Sequence, residues 1–180
     1  MNNIWLISDT HFGHEGLAKV CVRPKNYEQK ILSSVIKNIQ KDDLLIHLGD
    51  VAFNGESDWV NVFCMSVDCK KWLVLGNHDN HSIFWYLERG FDAVFNNFTL
   101  NMYGERILFS HEPQQDLGQY TLNVHGHLHN FSLETIKEKD PEVFKVLNDK
   151  QYLIALENSH YQVQTLESII KKLKRKKNVN

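Results

Sequence analysis

The side chains best suited to chemistry in this chain are its histidines, ten in 180 residues. Most of them sit beside aspartate, asparagine or glycine. Five short patterns stand out: Asp9-Thr10-His11, Gly49-Asp50, Gly76-Asn77-His78-Asp79, Ser110-His111 and Gly126-His127-Leu128-His129. Each comes directly after an apolar run that reads as a strand. In an extended segment residues i and i+2 point the same way, so Asp9 with His11, and His127 with His129, each aim two donors at one place. Glycines before Asp50, Asn77 and His127 let the backbone turn sharply and approach closely. A mixture of carboxylate, imidazole and amide oxygen suits manganese, iron, zinc, nickel or cobalt. It suits calcium poorly, since calcium prefers all-oxygen shells, and it lacks the thiolate of many copper centres.

These patterns need elements to hold them. Short apolar runs alternate with helical patterns over most of the chain, the mark of an α/β domain. Strands are expected at residues 3–8, 44–48 and 72–75. Between them fall a helix from about 27 to a turn at 41–43, with Ile31, Val35, Ile36 and Ile39 on one face, and a helix capped by Ser57. A helix at 81–89 stops at Gly90. Residues 91–102 and 106–110 read as two strands joined by a tight Tyr103-Gly104-Glu105 turn, and 121–124 and 151–157 as two more. The polar stretch 132–150 is a surface excursion or a small helix. A basic helix at about 165–177 closes the chain. Trp59, Phe63, Trp72, Phe84 and Trp85 fall at core-like spacings. No repeat or linker interrupts the pattern, so residues 1–180 read as a single domain.

Composition narrows the function classes. Cys21, Cys64 and Cys69 form no paired motif and read as reduced thiols. The leading apolar run at 4–7 is short and lacks a basic lead, and no stretch approaches the roughly 18 apolar residues a membrane span needs. A cytoplasmic protein without a membrane partner is expected. Six basic residues, Lys171, Lys172, Lys174, Arg175, Lys176 and Lys177, crowd the end of the chain. The other fourteen basic residues face 22 acidic ones, a net charge of −8. An acidic body is a poor nucleic-acid surface and suits a site that gathers carboxylates around cations. The basic run is either a solvated helix end or a contact for an anionic partner.

Taken in order, D-T-H, G-D, G-N-H-D, S-H and G-H-L-H resemble the five-part signature of the calcineurin-like metallophosphoesterase superfamily, D-x-H, G-D, G-N-H-D/E, H and G-H-x-H. Any one part is weak; all five in order, spread over residues 9–129, are specific. The compact length and the opening I-S-D-T-H-F-G-H are similar to small bacterial and phage members. The resemblance implies a two-sheet β-sandwich flanked by helices and two divalent metal ions, manganese foremost. It implies that Asp9, His11 and His129 bind the first metal and Asn77, His111 and His127 the second, with Asp50 and a hydroxide bridging them. His78 would contact phosphate and protonate the leaving oxygen. Phosphoprotein phosphatases of the superfamily extend the second motif to G-D-x-x-D-R-G. Here residues 49–55 carry neither that Asp nor that Arg, which argues against that subgroup.

The implied activity is hydrolysis of a small phosphodiester or phosphomonoester. A nuclease using the basic helix to hold a strand is the alternative. A protein-binding scaffold ranks third, because decay of the catalytic set would show at a ligand or at His78, and all are present. Around the motifs, Arg23 is either a phosphate clamp, matching phosphate oxygens bidentately, or a surface arginine. Asp79 is expected to cap the helix that follows. His14 is a candidate for the substrate mouth, while His47 and His125 read as satisfied structural histidines.

Overall fold

Apolar runs without polar alternation belong to strands covered on both faces, and the first three strands are of this kind. The computed structural model describes residues 2–177; the side chains of Lys176 and Lys177, part of the basic run, lie outside the described residues. Strands β1 (Ile4–Ile7), β2 (Leu44–His47), β3 (Lys70–Val74) and β4 (Ala93–Phe95) pair in parallel, in the order β4-β3-β2-β1. A two-residue strand that the sequence did not announce, Gln164–Thr165, closes the far edge antiparallel to β1. The second sheet has four strands in sequential order, β5 (Asn97–Met102), β6 (Glu105–Ser110), β7 (Leu122–His125) and β8 (Gln151–Leu153). There β5 and β6 form an antiparallel hairpin, while β6, β7 and β8 run parallel. The fold is α/β, two sheets flanked by helices.

The period-2 alternation divides the core. Leu6, Ile46, Leu48 and Val74 face the second sheet and pack on Ile107, Phe109, Val124 and Ile154. Ile7, Leu45 and Leu73 face the other way, onto a layer of α1 (Glu15–Val20), α2 (Tyr27–Asn38), α3 (Glu56–Met65) and α4 (Ile83–Glu88), through Ala18, Ile31, Val35, Val60, Phe63 and Tyr86. The terminal helix α7 (Leu166–Lys177) buries Leu166, Ile169 and Ile170 in the inter-sheet cluster and leaves Lys171 and Lys172 exposed. Among the described residues no helix is long and apolar enough to cross a membrane.

Several expectations are corrected. Residues 91–102 are not one strand: the chain leaves the first sheet after Phe95 and joins the second at Asn97. Residues 93–95 pair with β3, and residues 97–102 pair with β6 in the other sheet. The 151–157 strand ends at Leu153. Ser57 does not cap α3; the cap position is Gly55, in the left-handed region with φ +64°. Phe84 is 76% exposed and Ile36 57%, because the buried faces of their helices are carried by Tyr86 and by Ile31 and Val35. The excursion at 132–150 contains two short helices, α5 (Leu133–Lys139) and α6 (Pro141–Val146), over a small cluster of Leu128, Ile136 and Val143. The tight turn at 103–104 has positive φ at both residues, the requirement of a two-residue hairpin. All three cysteines are free and buried.

Candidate metal centre

All five motif loops leave the carboxyl ends of strands, three from the first sheet and two from the second. The loops lock to one another through the backbone: Asp9 N–H donates to Gly49 O at 2.9 Å, His11 N–H to Asp50 O at 3.0 Å, and Gly126 N–H to His111 O at 2.9 Å. Glycine is needed for two different reasons. Gly49 has φ +96°, and a Cβ there would lie 2.6 Å from the ring of His111. Gly126 has ordinary φ, but a Cβ would collide with Ser8 and the Asp9 carboxylate.

The side chains converge on two donor sets. Asp9, His11 and His129 are buried and present one atom each within 4.8 Å of one another. Asp9 Oδ1 lies 3.8 Å from Nε2 of both His11 and His129. In the second set Asn77 Oδ1 lies 2.9 Å from His111 Nε2 and 3.1 Å from His127 Nδ1, with those nitrogens 3.3 Å apart. Asp50 Oδ2 sits between the sets, 3.3 Å from His11 Nε2 and 3.4 Å from His111 Nε2. Its other oxygen accepts from His78 N–H at 2.9 Å.

Three observations say that these residues fit cations. First, His11 Nδ1, His11 Nε2 and His129 Nδ1 are buried polar atoms without a hydrogen-bond partner among the described residues. Buried polar groups are nearly always paired, so such atoms mark a demand the chain does not meet itself. Second, Asp9, His11, Asp50, His127 and His129 all have positive φ, between +45° and +68°. Non-glycine residues hold that conformation at a cost of roughly 1–3 kcal/mol each, and do so mainly at functional sites. Third, the charges favour a cation. Burial pushes the Asp9 and Asp50 carboxyls up, but the adjoining histidines hold both well below the ordinary carboxylate range. Burial lowers His111, yet the two carboxylates raise it to about 9. A proton or a divalent cation at this point answers the same negative potential.

Tautomers follow from the acceptors. A carbonyl only accepts, so His111 must donate Nδ1–H to Leu48 O, 2.7 Å away, which makes Nε2 the atom facing the centre and leaves it bare once the ring is neutral. His47 is closed off instead: Gly49 N–H donates to its Nδ1, its Nε2–H donates to Thr10 Oγ1, and that hydroxyl donates to Val51 O. Burial takes His47 down to about 3 and His125 to about 4, so both stay neutral structural histidines.

A cleft of about 220 Å³ opens over the centre, lined by His14, His78, His127, Lys139 and Asp140 among others. His78 stands edge-on to His11 with ring centroids 5.4 Å apart, and His14 stacks on Phe53 at 4.0 Å. Arg23 is not at the cleft mouth. Its side chain is 0% exposed and faces inward, onto Glu157, Asp9 O and Thr10 O, so it has no free edge for phosphate. Nor does Asp79 cap a helix; Ser82 caps α4. Asp79 is buried and accepts from the N–H groups of Asp50, Val51 and Gly76 at 2.7, 3.1 and 2.8 Å, tying the second motif to the third. Two carboxylates the motifs do not contain also meet the centre. Asp140 Oδ2 lies 3.7 Å from His127 Nε2, and Glu157 Oε1 lies 3.6 Å from His129 Nδ1. The Asp140-Pro141 pair is legible as a helix start, which it is, but nothing local signals its second role.

A two-sheet α/β fold with such a centre at one end defines a class, and the sequence match agrees: the chain belongs to the calcineurin-like phosphoesterase family, whose model covers residues 3–179. The uncharacterized protein MJ1445 of Methanocaldococcus jannaschii is 26% identical over 187 residues, spanning 98% of this chain and 94% of the relative. The crystal structure of AQ665 from Aquifex aeolicus, a protein of unknown function, superposes with a TM-score of 0.74 at 25% identity, over 95% of this chain and 99% of the other. The nuclease MPE of Pseudomonas putida superposes with a TM-score of 0.48 at 20% identity, over 70% of this chain and 61% of the other.

Proposed function

We propose that the protein hydrolyses small phosphate esters, diesters or monoesters, using two divalent cations, manganese foremost. Asp9, His11 and His129 would hold one, Asn77, His111 and His127 the other, with Asp50 shared. The observation that carries this reading is the place of Asp50 Oδ2, nearly equidistant from His11 Nε2 and His111 Nε2 at 3.3 and 3.4 Å. Two cations supply Lewis-acid stabilisation of phosphate oxygens and a nucleophile at neutral pH. The chain's own part is to hold the ester and move a proton. His78, at the cleft edge and tethered by its backbone to Asp50, is placed to protonate the leaving oxygen. Asp79 keeps the second and third motifs in one frame during that step.

The small cleft favours a compact ester over a polymer. The basic helix supports the same choice by its place. Lys174 Nζ donates to Tyr103 O, at the β5–β6 turn, and lies with Ile170 and Leu173 beside Glu105, Leu122 and Lys150. These residues mark the amino ends of β6, β7 and β8, opposite to the motif loops. A nucleic-acid strand held there would lie at the end of the sheet away from the motif loops.

The test is to strip the protein of metal and assay bis-p-nitrophenyl phosphate and p-nitrophenyl phosphate with Mn, Ni, Zn or Mg restored in turn. Metal-dependent release from either ester supports the proposal, and the preferred ester separates diesterase from phosphatase. No release with any metal, despite two bound ions per chain, would overturn it in favour of a binding role.

A further inference from the structure

The chain leaves β1 through a left-handed kink, with φ +53° at Asp9 and +45° at His11. Such a conformation persists where the surroundings over-determine it. Here three successive carbonyls each meet a side-chain donor from residues 23–27. Arg23 Nη2 donates to Asp9 O at 2.8 Å, Arg23 Nη1 to Thr10 O at 2.9 Å, and Tyr27 Oη to His11 O at 2.7 Å. The guanidinium's remaining edge turns to Glu157, with Nε and Nη2 lying 2.8 and 2.7 Å from Oε1.

Glu157 connects this strut to the last motif. Its Oε1 lies 3.6 Å from His129 Nδ1, and both His129 Nδ1 and Glu157 Oε2 are buried without a hydrogen-bond partner among the described residues. With His129 Nε2 turned toward Asp9, a neutral ring carries its proton on Nδ1, where Glu157 is the facing acceptor. A histidine that ligates a metal commonly donates its far N–H to a carboxylate or carbonyl, which fixes the tautomer and raises ligand basicity. For His111 the carbonyl of Leu48 does this, and His127 faces Asp140. The two donor sets thus have separate supports.

We infer that the Arg23–Glu157 ion pair is the positioning element of the first donor set, holding the Asp9–His11 kink and the His129 ring in one frame. This rests on the proposed function in taking Asp9, His11 and His129 as cation donors. Arg23 and Glu157 are positioning residues: they act on the cation through the kink and the ring.

The test is titration calorimetry of Mn²⁺ into metal-free wild type, Glu157→Gln and Arg23→Lys, with melting temperatures of the metal-free proteins alongside. Glu157→Gln keeps an acceptor for Arg23 and removes the charge that faces His129. Arg23→Lys keeps the charge, but an ammonium cannot reproduce the planar fork that serves three acceptors. In each variant one of two binding steps should weaken by about 10–100-fold while the other holds. In a His129→Ala background, Glu157→Gln should add no further loss. Two unchanged steps would overturn the inference. So would equal weakening of both steps with a lower metal-free melting temperature, the pattern of a general folding defect. A wild type that takes up no ion overturns the proposed function itself, before any variant is compared.

Discussion

At the amino end of the first sheet, Asp43 is buried just before β2, and its carboxylate accepts from Asn3 N–H, Trp5 Nε1–H and Gln40 N–H at 2.7, 2.8 and 2.9 Å. At the carboxyl end of the same strand, Asp50 is equally buried, but Oδ2 faces two imidazole nitrogens at 3.3 and 3.4 Å, and both nitrogens of His11 lack a hydrogen bond among the described residues. The first carboxylate is closed by its own chain; the second sits beside an imidazole whose nitrogens the described residues leave without hydrogen bonds. Asp79 lies at the carboxyl end yet belongs with Asp43, since three backbone N–H groups surround it. Burial of an acid therefore does not identify a site. What separates the two ends is whether the polar partners of the buried atoms are all present.

The strongest way to break this contrast is Asp50→Ala. If the carboxyl end is arranged for cations, hydrolysis and metal loading should vanish together, read by ester assay and by elemental analysis of the protein. Added Mn²⁺ at a hundred times Kd should add about 2.7 kcal/mol to the stability of the wild type, read as a higher melting temperature, and leave that of the variant unmoved. Full activity in the variant would sink the two-ion reading.

His78→Ala sharpens the contrast within the carboxyl end, because this ring lines the cleft without belonging to either donor set. Hydrolysis should fall by about 10²–10⁴-fold, the usual contribution of a general acid, with both ions still bound. An ester with a good leaving group should lose least.

The smallest effect is expected at the amino end. Burial raises the Asp43 carboxyl, but the donations from Gln40, Asn3 and Trp5 outweigh it and hold the group below its ordinary value of 3.8. A lowered folded pKa means that this stabilisation is complete above the ordinary value and is lost as pH falls through the lower one. Asp43→Asn should cost about 2 kcal/mol at neutral pH by denaturant unfolding, and the gap to wild type should close in acid. Hydrolysis at pH 7 should not change. A loss of activity without a loss of stability would erase the distinction between the two ends.

Much of this molecule is local and was legible. The first three strands are apolar runs, α2 and α7 carry amphipathic stripes, and the paired positive φ at Tyr103 and Gly104 answers a turn visible in the residues. The seven residues that converge at the centre could be picked out because each follows a strand and most have a glycine or an i+2 partner beside them. Side-chain roles set across the fold were not legible. Arg23 was open to a surface or a phosphate role and faces inward, because carbonyls 13 and 14 residues earlier and a carboxylate 134 residues later satisfy it. Asp79 turned from the helix beside it to the backbone of residues 50 and 51, where buried N–H groups needed an acceptor.

By itself the sequence determined which donor atoms the chain carries, in what order, and which runs must be buried, since residue type and local periodicity settle those. Only the tertiary structure decided that β4 and β5 part into different sheets, that Asp50 stands between two donor sets, and that Glu157 and Asp140 stand behind two of the histidines. The physical reason is that these arrangements depend on partners brought together by packing the two sheets, and local residue preferences do not encode which distant atoms will be neighbours.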